Sequence, residues 1–235
     1  MKAKTRNSPA QIAEMFDNLA PHYDFLNHFF SLKIDKLWRK KVVRLLADIK
    51  NPVILDVATG TGDLAIELTQ LKPILVYGVD ISEKMLEKAT LKIVKKNLQT
   101  IIFTTEAPVE QLPFEDNFFD AVTVAFGVRN FDDLEKGLNQ IYRVTKQHGR
   151  AIILEFSMPA NILVKPLYRF YLKKIMPFLG GIISGNRKAY KYLAASVINF
   201  SENVKLDKLL LQSGFKTVKI IKLHCGIAKI YLSQK

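Results

Sequence analysis

A single cysteine, Cys225, stands in 235 residues, which excludes an internal disulfide and any multi-cysteine metal site. Histidine is nearly as scarce. His22, His28, His148 and His224 fall at no metal-ligand spacing, so no metal centre is expected. Acids are few against bases, 22 to 35, for a net charge of +13. Such a balance suits an anionic partner, either nucleic acid or an acidic membrane surface, although scattered solvated lysines give the same sum without any partner. Long apolar runs are missing too. Residues 163–178 carry Lys165, Arg169, Lys173 and Lys174, too many charges for a membrane span. The first nine residues have no apolar core, so no secretory leader is expected and the expected location is the cytoplasm. Repeats and low-complexity linkers are absent. What remains is one domain of ordinary size, 49% hydrophobic and able to build a full core.

The most informative stretch is 53–65, VILDVATGTGDLA. A strand-forming run ends in a loop with Gly60 and Gly62, and an amphipathic segment starts at Asp63. The glycines allow a tight turn and a close approach of ligand to backbone. A second apolar run, 75–79, leads into Asp80, an acid placed to accept hydrogen bonds from both hydroxyls of a ribose. An adenosine-containing cofactor follows. Gly60 to Ala65 also fits the dinucleotide pattern G-x-G-x-x-G/A. However, Asp56 lies four residues before Gly60, where a pyrophosphate would be repelled, and Asp63 occupies the helix start where phosphate would sit. Carboxylates there suit the ammonium and sulfonium of S-adenosylmethionine.

The rest of the chain fits a doubly wound α/β sheet. Residues 9–50 read as a helical cap, broken at Pro21, with Trp38 on an apolar face. Strands are expected at 53–57, 74–79, 100–104, 119–125 and 150–156, and helices at 63–71, 83–95 and 132–145, with a turn at His148-Gly149. Residues 159–200 break the alternation as a helical insertion. A helix at 202–213 then leads to an antiparallel hairpin, 216–223 and 226–233. The whole is one domain: cap 10–50, cofactor-binding core 51–158, insertion 159–200, and C-terminal helix and hairpin 201–235.

Further residues carry a resemblance. Phe126-Gly127-Val128-Arg129-Asn130 follows the fourth strand. Ile141 to Val144, Gly149-Arg150 and Leu154-Glu155-Phe156-Ser157 come downstream. With Tyr23-Asp24, Asn27, Trp38, Leu112-Pro113-Phe114 and Phe119-Asp120, these resemble the ubiquinone/menaquinone biosynthesis C-methyltransferase family, most closely its demethylmenaquinone methyltransferase members. The resemblance runs from about residue 10 to the C-terminus. It implies the class I S-adenosylmethionine-dependent methyltransferase fold, which is Rossmann-like, and C-methylation of a polyprenylated quinol ring. Homodimerisation is a further implication. Thr61 and Asp80 match cofactor-contacting positions. The family's adenine-contacting pair is Pro108-Val109 here, and a cofactor-contacting serine is Ala125, so two contacts lose their side-chain groups.

In chemical terms, ring methylation needs alignment and charge placement rather than a metal. Arg129 is the candidate for stabilising a developing phenolate, and Asn130 for fixing the second oxygen. Tyr23 and Asp24 read as a lid over the cofactor. His22 is the histidine to test as a base, and Glu155 faces either the site or an ion-pair partner. A prenyl tail needs an apolar tunnel, for which the cap offers Phe25, Leu26, Phe29, Phe30 and Leu32, and the insertion Leu167, Phe170, Met176 and Phe178. Lys165, Arg169 and Lys173 form a basic stripe that would suit peripheral contact with an anionic membrane. Packing of that helix on its own domain or in a dimer is the competing reading. A naphthoquinol is favoured over a benzoquinol. An RNA methyltransferase and a non-catalytic cofactor-binding subunit stay as alternatives; nucleic acid is set aside as a partner because no interleaved aromatic and basic motif is present.

Overall fold

A computed structural model describes residues 8–235. Residues 1–7, where the reading of a missing leader falls, lie outside the described residues, as does the side chain of His22. The order of the seven-stranded sheet is β3-β2-β1-β4-β5-β7-β6. Its strands are β1 (Val53–Val57), β2 (Leu75–Asp80), β3 (Ile102–Glu106), β4 (Phe119–Ala125), β5 (Thr145–Phe156), β6 (Thr217–Leu223) and β7 (Ala228–Gln234). β1 to β5 are parallel, and β7 runs antiparallel between β5 and β6. β1 and β4 are buried on both faces, which explains their continuous apolar runs. Chain order reverses between β1 and β4, so ligands belong in the crevice at their carboxyl ends.

Helices α3 (Ile34–Arg44), α4 (Asp63–Leu68) and α5 (Glu83–Lys95) cover one face of the sheet, with Trp38, Val42, Leu64, Leu68 and Ile93 in the core. Helices α6 (Leu134–Val144) and α10 (Leu206–Gln212) cover the other through Leu138, Ile141, Leu206 and Leu210. A third core joins cap to insertion. Here α1 (Pro9–Leu19) and α2 (Tyr23–Phe30) meet α8 (Met176–Ser184) and α9 (Arg187–Asn203), and Leu19 and Leu26 pack with Leu172, Met176, Tyr190 and Val197. Pro21 sits in a single 3-10 turn that separates α1 from α2.

Three local details depart from the sequence pattern. β3 begins at Ile102 because the turn after α5 runs on to Ile101, whose amide donates to the Leu98 carbonyl. β5 begins at Thr145, and His148-Gly149 is an irregularity within it rather than a separate turn. A Cβ at Gly149 would come within 3.0 Å of the Asp120 carbonyl, so the strands close up only over glycine. The helix expected at 202–213 is the end of α9 plus α10, divided at Val204-Lys205. In the insertion, α7 (Val164–Phe170) passes through a π-helical turn, Tyr171–Ile175, into α8, with Pro177 in the first turn of α8.

Candidate active site

The loop after β1 lies at the switch point. Gly60 (φ +56°) and Gly62 (φ +78°) both take left-handed conformations, for different reasons. A Cβ on Gly62 would press at 3.1 Å on Ala89 of α5, whereas one on Gly60 would meet nothing within 4 Å. Gly60 therefore leaves open space on the side a ligand occupies. Two non-glycine residues share the left-handed region here: Ala58 after β1 (φ +52°) and Phe126 after β4 (φ +59°). Backbone strain of this kind persists where the fold over-determines a site.

A narrow cleft of about 90 Å³ opens beside this loop. Gly60, Asp80, Met85, Val109, Ala125 and Phe131 line it, and Ile12, Phe16 and Tyr23 of the cap roof it. Every charged side chain among its described lining residues is acidic: Asp80, Glu110 and Asp132. A pyrophosphate would find no cation here, while a ligand bearing ammonium and sulfonium charges meets acids. The donor set thus fits S-adenosylmethionine and not a dinucleotide. Pro108 and Val109 both line the cleft, so the substituted positions remain in place as apolar and backbone wall.

Asp80 is held ready by the backbone. Its carboxylate accepts from the amides of Gly60 (2.8 Å) and Ser82 (3.0 Å), while burial pushes its pKa up against those hydrogen bonds. Asp56 is deeper and does not line the cleft. Thr123 and Thr59 donate their hydroxyls to it at 2.7 and 2.8 Å, and burial raises it to about 6 despite them. Its place is under the loop, fastening β1 to β4. Thr61 is likewise turned away from the cleft. Its hydroxyl donates to Asp24 at 2.5 Å and accepts from Lys92 at 2.9 Å. Lys92 also pairs with Asp24 (2.6 Å) and Asp63 (2.7 Å). The helix-start acid is therefore neutralised by cations from α5 and α3, since Arg39 lies 3.1 Å from Asp63.

A second, larger cavity of about 420 Å³ adjoins the first; Phe16, Tyr23 and Phe126 line both. Its walls are largely apolar, built from the cap, α8, α9 and an aromatic group of Trp38, Phe126 and Phe156. Phe126 stacks on Phe156 with centroids 4.4 Å apart, and Trp38 lies 6.0 Å from each. Arg129 reaches this cavity from the 3-10 turn Val128–Asn130. Its guanidinium is buried, pairs with Glu155 at 2.8 Å, donates to the Phe126 carbonyl, and keeps Nε without a partner. Arg129 is thus held in a buried ion pair with Glu155 and not in a surface pair with its chain neighbours Asp132 or Asp133. Burial raises the Glu155 pKa while the Arg129 charge opposes it.

The sequence-derived residues divide between these spaces. Asp80, Gly60, Val109, Tyr23 and Asn130 line the cofactor cleft; Arg129 and Tyr23 line the larger cavity; Asp56, Thr61 and Gly62 line neither. Asn130 accepts a hydrogen bond from Tyr192 at 3.2 Å and lines the cofactor cleft, whereas Tyr192 lines the larger cavity. Of the tunnel residues, Phe29, Phe30, Leu32 and Met176 line the cavity and Leu26 is packed in the cap. Phe25, Leu167, Phe170 and Phe178 face solvent, because each helix turns only one stripe inward and the π-helical turn directs Leu172 and Met176 there. The sequence reading missed Met85, Phe131, Tyr168, Tyr190 and His224. No motif marks them; each is carried to the site by tertiary packing alone.

The sequence profile of the ubiE/COQ5 methyltransferase family matches residues 3–235. The chain is 43% identical over 227 residues to the ubiquinone/menaquinone biosynthesis C-methyltransferase UbiE of Geotalea uraniireducens, covering 96% of each. It is 41% identical over 226 residues to the demethylmenaquinone methyltransferase of Bacteroides fragilis, covering 96% of this chain and 92% of that one. Among solved structures, a SAM-dependent methyltransferase from Thermotoga maritima shares the fold at TM-score 0.65 and 19% identity, over 94% of this chain and 99% of the other. The acidic cleft at the switch point and a profile match over nearly the whole length converge: the chain belongs to the ubiE/COQ5 methyltransferase family and is an S-adenosylmethionine-dependent C-methyltransferase.

Proposed function

We propose that the chain methylates a ring carbon of a polyprenylated naphthoquinol, converting demethylmenaquinol to menaquinol in menaquinone biosynthesis. The observation that carries this reading is the 420 Å³ largely apolar cavity beside the cofactor cleft, with two buried cations in its wall: Arg39, which is engaged by Asp35 and Asp63, and Arg129, whose Nε has no partner. A flat aromatic ring suits the Trp38, Phe126 and Phe156 group, and a prenyl chain suits the apolar remainder. S-adenosylmethionine supplies an electrophilic methyl group when bound in the smaller cleft. The ring carbon becomes nucleophilic as its neighbouring hydroxyl loses its proton, and the Arg129 guanidinium stabilises the resulting phenolate. Tyr168 and Tyr190 line the same cavity. Burial drives both pKa values upward, Tyr190 to about 12, so their hydroxyls serve as proton donors and not as bases. Asn130 braces the wall between the two spaces through Tyr192. Action on a membrane-embedded quinol fits a cytoplasmic enzyme that touches the bilayer surface.

Transfer of labelled methyl into short-chain demethylmenaquinol kept reduced, with a benzoquinol and RNA in parallel, tests this. Label is expected in the naphthoquinol. Label confined to the benzoquinol would move the substrate to ubiquinone biosynthesis, and label in RNA would overturn the quinol reading. Arg129→Ala would leave Glu155 buried and unpaired, at a cost of about 3–5 kcal/mol. The cleaner variant is Arg129→Gln with Glu155→Gln. Its kcat is expected to fall by about 100-fold or more, with cofactor affinity within about twofold, as read by calorimetry.

A further inference from the structure

The larger cavity has a second polar pole that no motif announces. His224 reaches it from the turn between β6 and β7. This turn is strained: His224 (φ +42°), Cys225 (φ +58°) and Gly226 (φ +87°) are three consecutive left-handed residues, two of them with side chains. Strain of that kind needs over-determination by the surroundings, and Trp38 supplies part of it. The indole N–H of Trp38 donates to Nδ1 of His224 at 2.6 Å, and the two rings meet edge to face with centroids 5.7 Å apart. An indole nitrogen is a donor only. The imidazole nitrogen facing it must therefore be unprotonated, and in the neutral ring the proton sits on Nε2. His224 is exposed and lines the cavity, so that proton is open to solvent and to a ligand entering there.

Trp38 also packs on Phe126 and Phe156, and Arg129 lies over the Phe156 ring at 5.8 Å. The aromatic group thus joins two polar ends, the Arg129 guanidinium and the His224 Nε2–H. A quinol also has two polar ends, hydroxyl oxygens para to each other across a flat ring.

Resting on the quinol reading above, we propose that His224 binds the quinol oxygen remote from the methylated carbon by donating its Nε2–H to it. Trp38 is then a positioning residue that holds the His224 tautomer. Arg129 and His224 grip the ring at its two oxygens, which orients the acceptor carbon toward the cofactor cleft. Asn130, on the other side of the wall, is free of that role. This makes His224 a determinant for 1,4-dihydroxylated rings over monohydroxylated ones.

The chain has one tryptophan, Trp38 itself, so its fluorescence reports on this cavity. The enzyme saturated with S-adenosylhomocysteine, which has no methyl to transfer, is titrated without oxygen with two ligands. One is a short-chain demethylmenaquinol. The other is its deoxy analogue, a 3-prenyl-1-naphthol lacking the remote hydroxyl. His224→Phe is expected to weaken quinol binding by about tenfold and to leave deoxy-analogue binding within about twofold. His224→Gln, whose amide has an N–H to offer, is expected to recover most of the loss. By nitrogen-15 spectroscopy at alkaline pH, the wild-type His224 ring carries its proton on Nε2, and Trp38→Phe releases that preference.

Equal loss for both ligands in His224→Phe would mean a packing role and overturn the proposal, as would no loss for either. Failure of the wild-type enzyme to bind the quinol at all, with S-adenosylhomocysteine still bound, would instead bring down the substrate reading itself, and this proposal with it.

Discussion

Asp56 and Arg129 show how the same burial serves two ends. Both side chains are almost fully enclosed, but Arg129 keeps an unpartnered Nε in a cavity wall while Asp56 is spent on two threonine hydroxyls beneath the loop. Asp56 titrates in the folded protein near 6, above its ordinary 3.8, because burial disfavours the carboxylate. The folded state then holds a proton that the unfolded chain has already lost. Between those values stability from this group falls as pH rises, and above about 6 the full cost is present. Asp56→Asn has no such cost. Relative to wild type, it should gain up to about 3 kcal/mol of stability between pH 4 and pH 7. Urea unfolding of both proteins at the two values checks this. An Asn variant that loses ground as pH rises would show that Asp56 is ionised and stabilising throughout.

At the scale of elements, the cap shares an apolar core with the insertion and is tied to the α4–α5 side of the cofactor cleft by polar contacts. Asp17 of α1 accepts from the Ser82 hydroxyl at 2.6 Å, at the start of α5. Asp24 of α2 engages Thr61 and Lys92. The cleft beneath holds about 90 Å³, less than the roughly 150 Å³ that admits a benzene ring. Residues of α1 and α2 roof this cleft, so an adenosyl ligand bound there lies against them. Lys92→Met removes the cation between Asp24 and Asp63 and leaves two carboxylates facing each other. Amide hydrogen exchange in residues 9–30 is expected to quicken by about tenfold, with β1 unchanged. Unchanged exchange in the cap would show that its apolar contacts, not the Lys92 ties, hold it down. The strands beneath were legible from sequence because two-sided burial writes itself as apolar runs. The bulge at Gly149 and the division at Val204 were not, since each depends on a neighbour distant in sequence. The cap's closeness to the loop was legible only as far as Tyr23-Asp24; its partner Lys92 lies on a helix that looks merely solvated.

For the molecule as a whole, the cofactor half of the site could be read in the sequence because a short strand-loop-helix carries it. The second cavity could be read only in part: Phe29, Phe30, Leu32 and Met176 were expected from the cap and the insertion and line it, but the sides given by α3, α9 and the β6–β7 turn come from elements distant in sequence. The same assembly explains where the insertion's other face goes. Ile162, Leu163, Leu167, Phe170, Phe178 and Ile182 are exposed along the α7–α8 arm, and Phe25 and Leu32 are exposed nearby in the cap. Leu32 and Phe29 lie at the cavity, and the Tyr171 hydroxyl donates to the Phe30 carbonyl, tying the arm to the cap. No described helix is long and apolar enough to cross a membrane. An apolar stripe flanked by Lys165, Arg169, Lys173 and Lys174 suits lying on an anionic bilayer with the cavity facing it. Glu202 offsets part of this charge by pairing with Lys165 and Arg169, which leaves apolar insertion as the larger contribution. Leu167→Asp with Phe170→Asp is therefore expected to lower co-flotation with anionic liposomes by about tenfold or more, with thermal stability and cofactor binding unchanged. Binding should be weaker on zwitterionic liposomes for the wild type. If the double variant floats as well as wild type, the stripe does not meet the bilayer; if it also converts a dimer to a monomer in sedimentation, a second copy of the chain covers it instead.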